Sequence, residues 1–199
     1  TQIAFHSNSD GDYEIWVMSL DPETGTVTTL TQLTVNTSPD RQPAWSHDGS
    51  MIAFYSDRDG TGGLYVIDAV TGASVDDDVA PIQDEVSPTW SPDDAYLAFV
   101  HSNAWNLLKV ELATGTQASL ISDGTVTPGS APSPDWSPDG TEIAFPGTGG
   151  GAVTDVWAVD SNGVSSRNIT NIPGTDTGQP SWSPDGVMIA FQHGTGVSS

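Results

Sequence analysis

Cysteine is absent from the 199-residue chain, which excludes disulfides, thiolate nucleophiles and zinc sites built on cysteine. Basic residues are scarce: four lysines and arginines stand against 26 acidic residues, for a formal net charge of −22. So few cations cannot neutralise a run of phosphates, and we therefore expect neither nucleic acid nor an anionic membrane surface as a partner. No apolar run reaches the length of a membrane-spanning helix, so we expect no membrane insertion.

The acidic residues are mostly aspartates in a chain that is also rich in serine, threonine and glycine. Because these residues favour turns, we expect much of the charge at strand ends, where it keeps an extracellular or salt-exposed protein soluble. The alternative is that clustered carboxylates bind cations. The chain begins with Thr and carries no signal peptide, so we expect a mature or excised piece.

One phrase, built around Trp-Ser-x-Asp and ending in Ala-Phe, occurs four times. The copies are QPAWSHDGSMIAF (42–54), SPTWSPDDAYLAF (87–99), SPDWSPDGTEIAF (133–145) and QPSWSPDGVMIAF (179–191). A truncated copy, TQIAF, opens the chain. The period of 45 or 46 residues between the tryptophans indicates stacked supersecondary units.

Each copy leads through a tight turn into a strand of period two; in MIAFYS (51–56) the side chains alternate between two apolar faces. A polar loop, a third strand such as LYVIDA (64–69), a turn and a fourth strand such as VSSRNIT (164–170) complete the unit. Four-stranded antiparallel units that repeat every ~45 residues are blades of a β-propeller. The sequence therefore predicts an all-β propeller with about four blades and no helix.

The repeated tryptophans and turn aspartates are predicted to be structural. A blade buries two apolar faces against its neighbours, so an indole at one fixed place fills each seam, although a ligand-stacking platform is the alternative. The turn aspartates are expected to bond local backbone amides. These repeat-signature residues are Trp45, Asp48, Trp90, Asp93, Trp136, Asp139, Trp182 and Asp185.

The stretch PAWSHDGSMIAFYSDRDGTGGLYVIDAVTG (43–72) resembles the TolB-like, WD-repeat-like propeller family, with His47 where the family phrase has proline. The resemblance covers essentially the whole chain. It implies a propeller, often bacterial and often in the cell envelope, without implying one activity. Such propellers serve as protein-docking platforms, as substrate gates in prolyl-oligopeptidase-like enzymes, and in some cases as metal-dependent lyases.

We expect a single propeller domain over residues 1–199. Its blades are placed at approximately 1–33 (joined by 180–193), 42–80, 87–123 and 133–172. Residues 187–193 duplicate the strand at 2–7, and both cannot fill one position. An open arc would expose two blade faces, each costing about 12 kcal/mol at ~25 cal/mol per Å² and ~500 Å². Three alternatives follow: a ring that closes at four blades, a piece of a longer chain, or completion by another copy through strand exchange.

The loop SNSDGDYE (7–14) sets oxygen ligands at alternate positions, loosely like a calcium-loop spacing, and DRDG (57–60) and DDD (76–78) add further oxygen ligands. The first lacks the glycine placement and distal glutamate of an EF-hand. Weak calcium binding is therefore one interpretation, and solvated hairpin turns are the other; no further cofactor is expected. The calcium candidates are Asn8, Asp10, Asp12, Glu14, Asp57 and Asp59.

Other catalytic and metal-binding patterns are not met. His6, His101 and His193 each follow an Ala-Phe strand end, but their offsets differ and no metal-binding set can be matched. The chain has no Gly-x-Ser-x-Gly nucleophile elbow, and GTGGG (147–151) lacks the lysine of a phosphate loop.

The sequence leaves three candidate functions. The first is a non-catalytic interaction or structural propeller, extracellular or in the cell envelope, that binds protein partners or further copies of itself. The second is the propeller part of a prolyl-oligopeptidase-like hydrolase. The third is a metal-dependent lyase or lactonase acting in the central channel.

Overall fold

The computed structural model describes residues 1–9, 11–81, 87–101, 106–121, 126–128, 133–150, 153–172 and 177–194, with only the backbone at 77, 78 and 81. Every regular element in these ranges is a β-strand, and the paired strands are antiparallel, which confirms the predicted all-β class. The chain forms two compact units, Thr1–Pro88 and Thr89–Ser199. The single domain and the blade boundaries stay predictions.

Unit 1 contains two sheets built from consecutive hairpins, in the orders β1-β2-β3 and β4-β5-β6-β7. The strands are β1 (Gln2–Ser7), β2 (Glu14–Leu20), β3 (Val27–Gln32), β4 (Asp40–Trp45), β5 (Met51–Ser56), β6 (Gly63–Asp68) and β7 (Ser74–Pro81).

Unit 2 contains three sheets, in the orders β8-β9-β10-β11, β12-β14-β15-β16 and β17-β18, and β13 also pairs with β14. The strands are β8 (Thr89–Trp90), β9 (Tyr96–His101), β10 (Asn106–Glu111), β11 (Gln117–Ser119), β12 (Thr127–Pro128), β13 (Asp135–Trp136), β14 (Glu142–Thr148), β15 (Asp155–Asp160), β16 (Ser166–Asn168), β17 (Thr177–Trp182) and β18 (Ile189–His193).

The repeated phrase forms the same hairpin each time. In the first complete copy the Gly49 amide donates to the Ser46 carbonyl (3.1 Å), and Gly49 adopts a φ of 72°. Asp94 occupies the equivalent left-handed position with a φ of 57°, as a short polar side chain can. The two strands that contain Gln-Pro, β4 and β17, carry a register shift, and their glutamines, Gln42 and Gln179, have positive φ values of 56° and 50°.

Each unit has its own core. In unit 1, β5 is buried on both faces, and Phe54 lies in a cluster with Ile15 of the preceding sheet while half-buried Trp45 packs against it. In unit 2, buried Trp136 packs into a cluster that includes Val100 of the neighbouring sheet. Burial of both faces explains why the second strand of the phrase is an uninterrupted apolar run.

Candidate functional site

A buried carboxylate marks the start of β2. Glu14 is only 1% exposed. Its Oε2 accepts a hydrogen bond from Thr34 Oγ1 (2.5 Å), and its Oε1 accepts one from the Asn36 amide (2.6 Å). The Thr34 hydroxyl oxygen in turn accepts from the Ile15 amide (2.9 Å). Glu14 therefore ties the beginning of β2 to the segment that follows β3.

A second buried carboxylate, Asp40, begins β4 and is fully buried. Its Oδ2 accepts from Asn36 Nδ2 (2.8 Å) and from Arg58 Nη2 (2.8 Å). The Asp40 amide donates to the Tyr13 carbonyl (2.6 Å), next to Glu14. We call Glu14, Thr34, Asn36, Asp40 and Arg58 the Glu14 cluster.

Arg58 supplies the positive charge of the Glu14 cluster. Its guanidinium lies over the rings of Phe54 (5.1 Å) and Tyr65 (4.7 Å), and its Nε donates to Ser56 Oγ (3.0 Å). With 28% of its side chain exposed, Arg58 reaches from the buried Asp40 to the surface. The aromatic contacts hold the guanidinium in place for the ion pair.

The Glu14 cluster contains two buried carboxyl groups and one guanidinium. Burial raises the pKa of Glu14 and the charge of Asp40 raises it further, while the bonds from Thr34 and Asn36 act in the opposite direction. Asp40 Oδ1 is buried and accepts no hydrogen bond. The cluster is therefore suited to hold a proton on Glu14 more firmly than an exposed carboxyl would.

Aromatic and basic side chains adjoin the Glu14 cluster at the start of β4. The Arg41 guanidinium lies over the Tyr13 ring (4.4 Å), and His6 meets the same ring edge-on (5.3 Å). His6 Nδ1 accepts from the Gln42 amide (3.3 Å). Two of the four basic residues of this acidic chain, Arg41 and Arg58, thus contact neighbouring parts of unit 1.

A similar arrangement in unit 2, the Asp155 cluster, is formed by Asp155, Asn168, Thr170 and Thr177. Asp155 accepts from Thr170 Oγ1 (2.9 Å) and from Asn168 Nδ2 (2.8 Å). The Thr170 hydroxyl oxygen accepts from the Val156 amide (3.0 Å), as Thr34 does from Ile15. Because the same arrangement occurs between successive sheets in both units, we infer that it serves to hold neighbouring sheets together.

The described calcium candidates lie in the two loops named above and at the start of β2, and weak calcium binding stays a prediction. Asn8 is exposed, and Asp10 lies outside the described residues. Glu14 is engaged in its cluster, whereas exposed Asp59 accepts from Thr61 and Gly62 of its own turn. Half-buried Asp12 and Asp57 lie in separate loops. Within the described ranges, no group of three or more His, Asp or Glu side chains could hold a metal ion.

The structure places the repeat-signature residues in two environments. Trp90 and Trp136 are buried, and Trp45 and Trp182 are half-buried. Each turn aspartate accepts from the serine two residues earlier and from the amide two residues later; in Asp48 these distances are both 2.8 Å. The equivalent bonds of the other copies are those of Asp93, Asp139 and Asp185. The hydrogen bond from the Ser50 amide lowers the pKa of Asp48, which favours the ionised form of its carboxyl group.

The three strand-end histidines lie on different strands. His6 and His193 are exposed and His101 is half-buried, at the ends of β1, β18 and β9 respectively. His6 contacts Tyr13, and His101 pairs in register with Asn106.

Sequence reasoning missed Thr34, Asp40, Arg58 and the whole Asp155 cluster. A second pattern that occurs in two of the repeats could have indicated them. An acid followed by an aliphatic residue and tryptophan begins the third strand in EIW (14–16) and DVW (155–157). A threonine then follows the fourth strand, 11 or 12 residues before the tryptophan of a Gln-Pro copy.

The family model for the TolB beta propeller domain matches residues 1–132 and 80–197. No curated protein sequence matches the chain. No helix in the described part of the chain has the length and apolar character needed to cross a membrane.

Solved structures with the same fold include TolB from Acinetobacter baumannii, with a TM-score of 0.80 at 21% identity over 100% of this chain. An oligogalacturonate lyase in complex with manganese gives 0.69 at 20% identity over 99% of the chain and 57% of its own. A puromycin hydrolase S511A mutant gives 0.61 at 17% identity over 96% of the chain and 31% of its own. The chain spans about half of the Acinetobacter protein, 48% of its length. At these identities the likeness shows the fold alone.

Proposed function

We propose, since the chain belongs to the TolB beta propeller domain family, that it is a non-catalytic propeller module that binds protein partners, including further copies of itself. We place it outside the cytoplasm, in the cell envelope or the extracellular medium. The charge of −22 supports this location because it suits a salt-exposed solvent.

The observation that carries the proposal is an unpaired strand edge. Within the described residues β1 pairs only with β2, whereas β5 and β9, which have the same place in the repeat, each lie between two strands. The open edge of β1 presents backbone donors and acceptors along a strand whose Ile3 is 40% exposed. Such an edge can accept one more strand by β-augmentation.

The occupant we propose is β17 of a second copy. β17 ends in QPSW as β4 ends in QPAW, and the tryptophans pair alike: Trp182 with Ile189, and Trp45 with Ile52. Because β18 and β1 share the sequence IAF, β17 can exchange its partner in β18 for the same residues of β1 in another copy. In the exchanged register Trp182 would lie opposite Ile3.

Electrostatic repulsion opposes this association. Two copies that each carry a charge of −22 repel at low salt, and added salt screens the repulsion. We therefore expect dimers or longer assemblies to increase from ~50 mM to ~500 mM NaCl, which is the opposite of the behaviour of an interface held by ion pairs.

Size-exclusion chromatography with light scattering tests the proposal. Ile3→Lys places a charge on the open edge and should abolish association, whereas Leu30→Lys, on the outer strand of the same sheet, should not. Both variants change the net charge equally, so repulsion is matched. A strictly monomeric wild-type protein at every salt concentration, or an equal effect of the two substitutions, would refute self-association.

A second candidate is favoured by the likeness to puromycin hydrolase, of which the chain covers only 31%. The chain would then be the propeller part of a prolyl-oligopeptidase-like hydrolase, and an α/β-hydrolase segment in the full reading frame would decide for it. The third candidate, a metal-dependent lyase or lactonase, is favoured by the likeness to the manganese-bound lyase. Metal analysis of the purified protein that finds neither a transition metal nor calcium would count against it.

A further inference from the structure

The second strand of the repeated phrase is enclosed in the first three copies and open in the last. The phenylalanines that end the Ala-Phe run in β5, β9 and β14 are fully buried. Phe191 of β18 is 39% exposed, and its neighbours Ala190 and Gln192 are also exposed. In the described part of the chain β18 pairs only with β17. β18 therefore adds little buried surface to the core of unit 2.

β17 is held in unit 2 by contacts that do not involve β18. At one end the Thr177 amide donates to the Thr154 carbonyl (2.7 Å), and Thr177 is buried. At the other end the Trp182 amide donates to Asp135 Oδ2 (2.5 Å). Pro180, between these two ends, is buried as well. We therefore expect β17 to keep its place and to offer a strand edge whether or not β18 is paired with it.

The pairing between β17 and β18 is short and interrupted. Its register shifts between Gly178 and Ser181. Within that interval Gln179 has a φ of 50°, and Pro180 has no amide hydrogen to donate. A strand that is held at one edge by an interrupted set of hydrogen bonds opens more easily than a strand held between two neighbours. β18 is thus the part of this hairpin that can leave while β17 stays.

The registers of the four copies define what the edge of β17 accepts. The residue opposite the tryptophan is isoleucine or leucine in every copy, and the next residue of the same strand is always alanine. These pairs are Trp45–Ile52, Trp90–Leu97, Trp136–Ile143 and Trp182–Ile189, and beside them Ala44–Ala53, Thr89–Ala98, Asp135–Ala144 and Ser181–Ala190. Phenylalanine follows the alanine each time. The edge therefore fits an extended segment with the pattern aliphatic-Ala-Phe, which β1 carries as Ile3-Ala4-Phe5.

We propose that β18 is a displaceable occupant of a strand-binding site at the edge of β17, and that it limits self-association until β1 of a second copy displaces it. β18 brings no further strand to this edge in the described part of the chain, whereas β1 brings β2 and β3. The exchange therefore converts a two-stranded sheet into a four-stranded one. The limiting role rests on the proposed self-association, but the strand-binding site can be tested without it.

A disulfide between β17 and β18 tests the displacement within one polypeptide. The chain has no cysteine, so Ser181→Cys combined with Ala190→Cys allows one intramolecular disulfide, and directly opposed residues of an antiparallel pair have the Cα separation that it needs. In the oxidised form we expect neither self-association nor binding of a fluorescein-labelled peptide TQIAFHS (1–7), measured by fluorescence anisotropy. Reduction should restore both, and the reductant should leave the wild type unchanged.

Ile189→Asp tests the same displacement without a crosslink. The carboxylate lies opposite Trp182 and should release β18, so that the labelled peptide binds at least ~10-fold more tightly than it binds the wild type. Self-association at ~500 mM NaCl should increase as well, because that salt concentration screens the added charge. Gln192→Asp is the matched control, since it adds the same charge at an exposed side chain of the same strand. A peptide with Ala4→Glu should bind at least ~10-fold more weakly.

The outcomes separate this inference from the proposed self-association. Peptide binding that is equal in the oxidised and reduced forms would overturn the inference, as would the absence of peptide binding to the Ile189→Asp variant. Self-association that is equal in the two redox forms would refute control by β18. Redox-dependent peptide binding in a protein that stays monomeric at every salt concentration would support the strand-binding site and refute self-association, and with it the limiting role.

Discussion

The Glu14 cluster of unit 1 and the Asp155 cluster of unit 2 both join successive sheets through a carboxylate, but they contain different numbers of charged groups. In both, a carboxylate at the first position of a strand accepts from a threonine whose oxygen accepts the next backbone amide. In both, the first residue of the strand that contains the next Gln-Pro donates its amide to the carbonyl of the residue that precedes the acid. Asp40 of β4 makes this bond at 2.6 Å, and Thr177 of β17 makes it at 2.7 Å.

The difference lies in the side chain of that following residue. Thr177 offers a hydroxyl, which lies 3.1 Å from the Thr170 hydroxyl, so the Asp155 cluster carries a single carboxylate. Asp40 offers a second carboxylate, and Arg58 is present to pair with it at 2.8 Å. A repeated junction can thus acquire an extra buried charge where a neighbouring loop supplies the opposite one.

The largest effect should come from removing the threonine that both clusters share. Thr34→Val preserves shape but leaves the buried Oε2 of Glu14 without its donor and the Ile15 amide without an acceptor, at a cost of about 3 kcal/mol. Thr170→Val removes the same two bonds from a half-buried threonine and should cost about 2 kcal/mol.

Hydrogen exchange of the Ile15 and Val156 amides measures the local stability of each cluster separately, and urea unfolding gives the free energy of unfolding. The Thr34 variant should accelerate exchange mainly at Ile15, and the Thr170 variant mainly at Val156. Unchanged protection at both amides would show that the hydroxyls contribute nothing to the junctions.

A smaller effect is expected at the glycine turns that pack on the preceding sheet. A Cβ on Gly72, at a φ of +69°, would lie 2.2 Å from the Leu33 carbonyl oxygen, whereas on Gly163, at +75°, it would lie 3.1 Å from Leu120. Gly115 has a φ of +66° with nothing within 4 Å. We expect Gly115→Ala to cost about 1 kcal/mol for the left-handed backbone alone, and Gly72→Ala about 1 kcal/mol more.

Thermal and urea unfolding of the three alanine variants provides the measurement. The order of destabilisation should be Gly72, then Gly163, then Gly115. Equal losses at all three positions would mean that backbone strain alone matters and that the two junctions are not packed as closely as these distances indicate.

The strands and hairpin turns could be predicted from the sequence because their signals are local. Trp45, the turn at Ser46–Gly49 and the apolar run that follows lie within ten residues of one another and recur with each repeat. The polar clusters could not be predicted as easily, because Glu14 meets Thr34 and Asp40 only after a whole hairpin has folded.

The comparison also predicts a pH effect specific to the Glu14 cluster. The pKa of Glu14 is raised above its ordinary value of 4.5 by burial and by Asp40, against the bonds from Thr34 and Asn36. The folded protein therefore binds a proton on Glu14 more tightly than the unfolded chain does. The free energy of unfolding must then fall as pH rises from about 4.5 through the folded pKa, and no further change comes from Glu14 above it.

Glu14→Gln removes the ionisation, so the difference in unfolding free energy between wild type and variant should shift in favour of the variant as pH rises from 5 to 8. Urea unfolding across this range measures it, and Glu23→Gln, which removes an exposed carboxylate, is the matched control for the loss of one charge. The turn aspartates do not interfere, because the pKa values of Asp48, Asp139 and Asp185 are lowered from 3.8 and their contribution is lost only at more acidic pH. If the Glu14 and Glu23 curves were parallel, the second carboxylate of unit 1 would be fully compensated by Arg58, and the two clusters would be electrostatically equivalent.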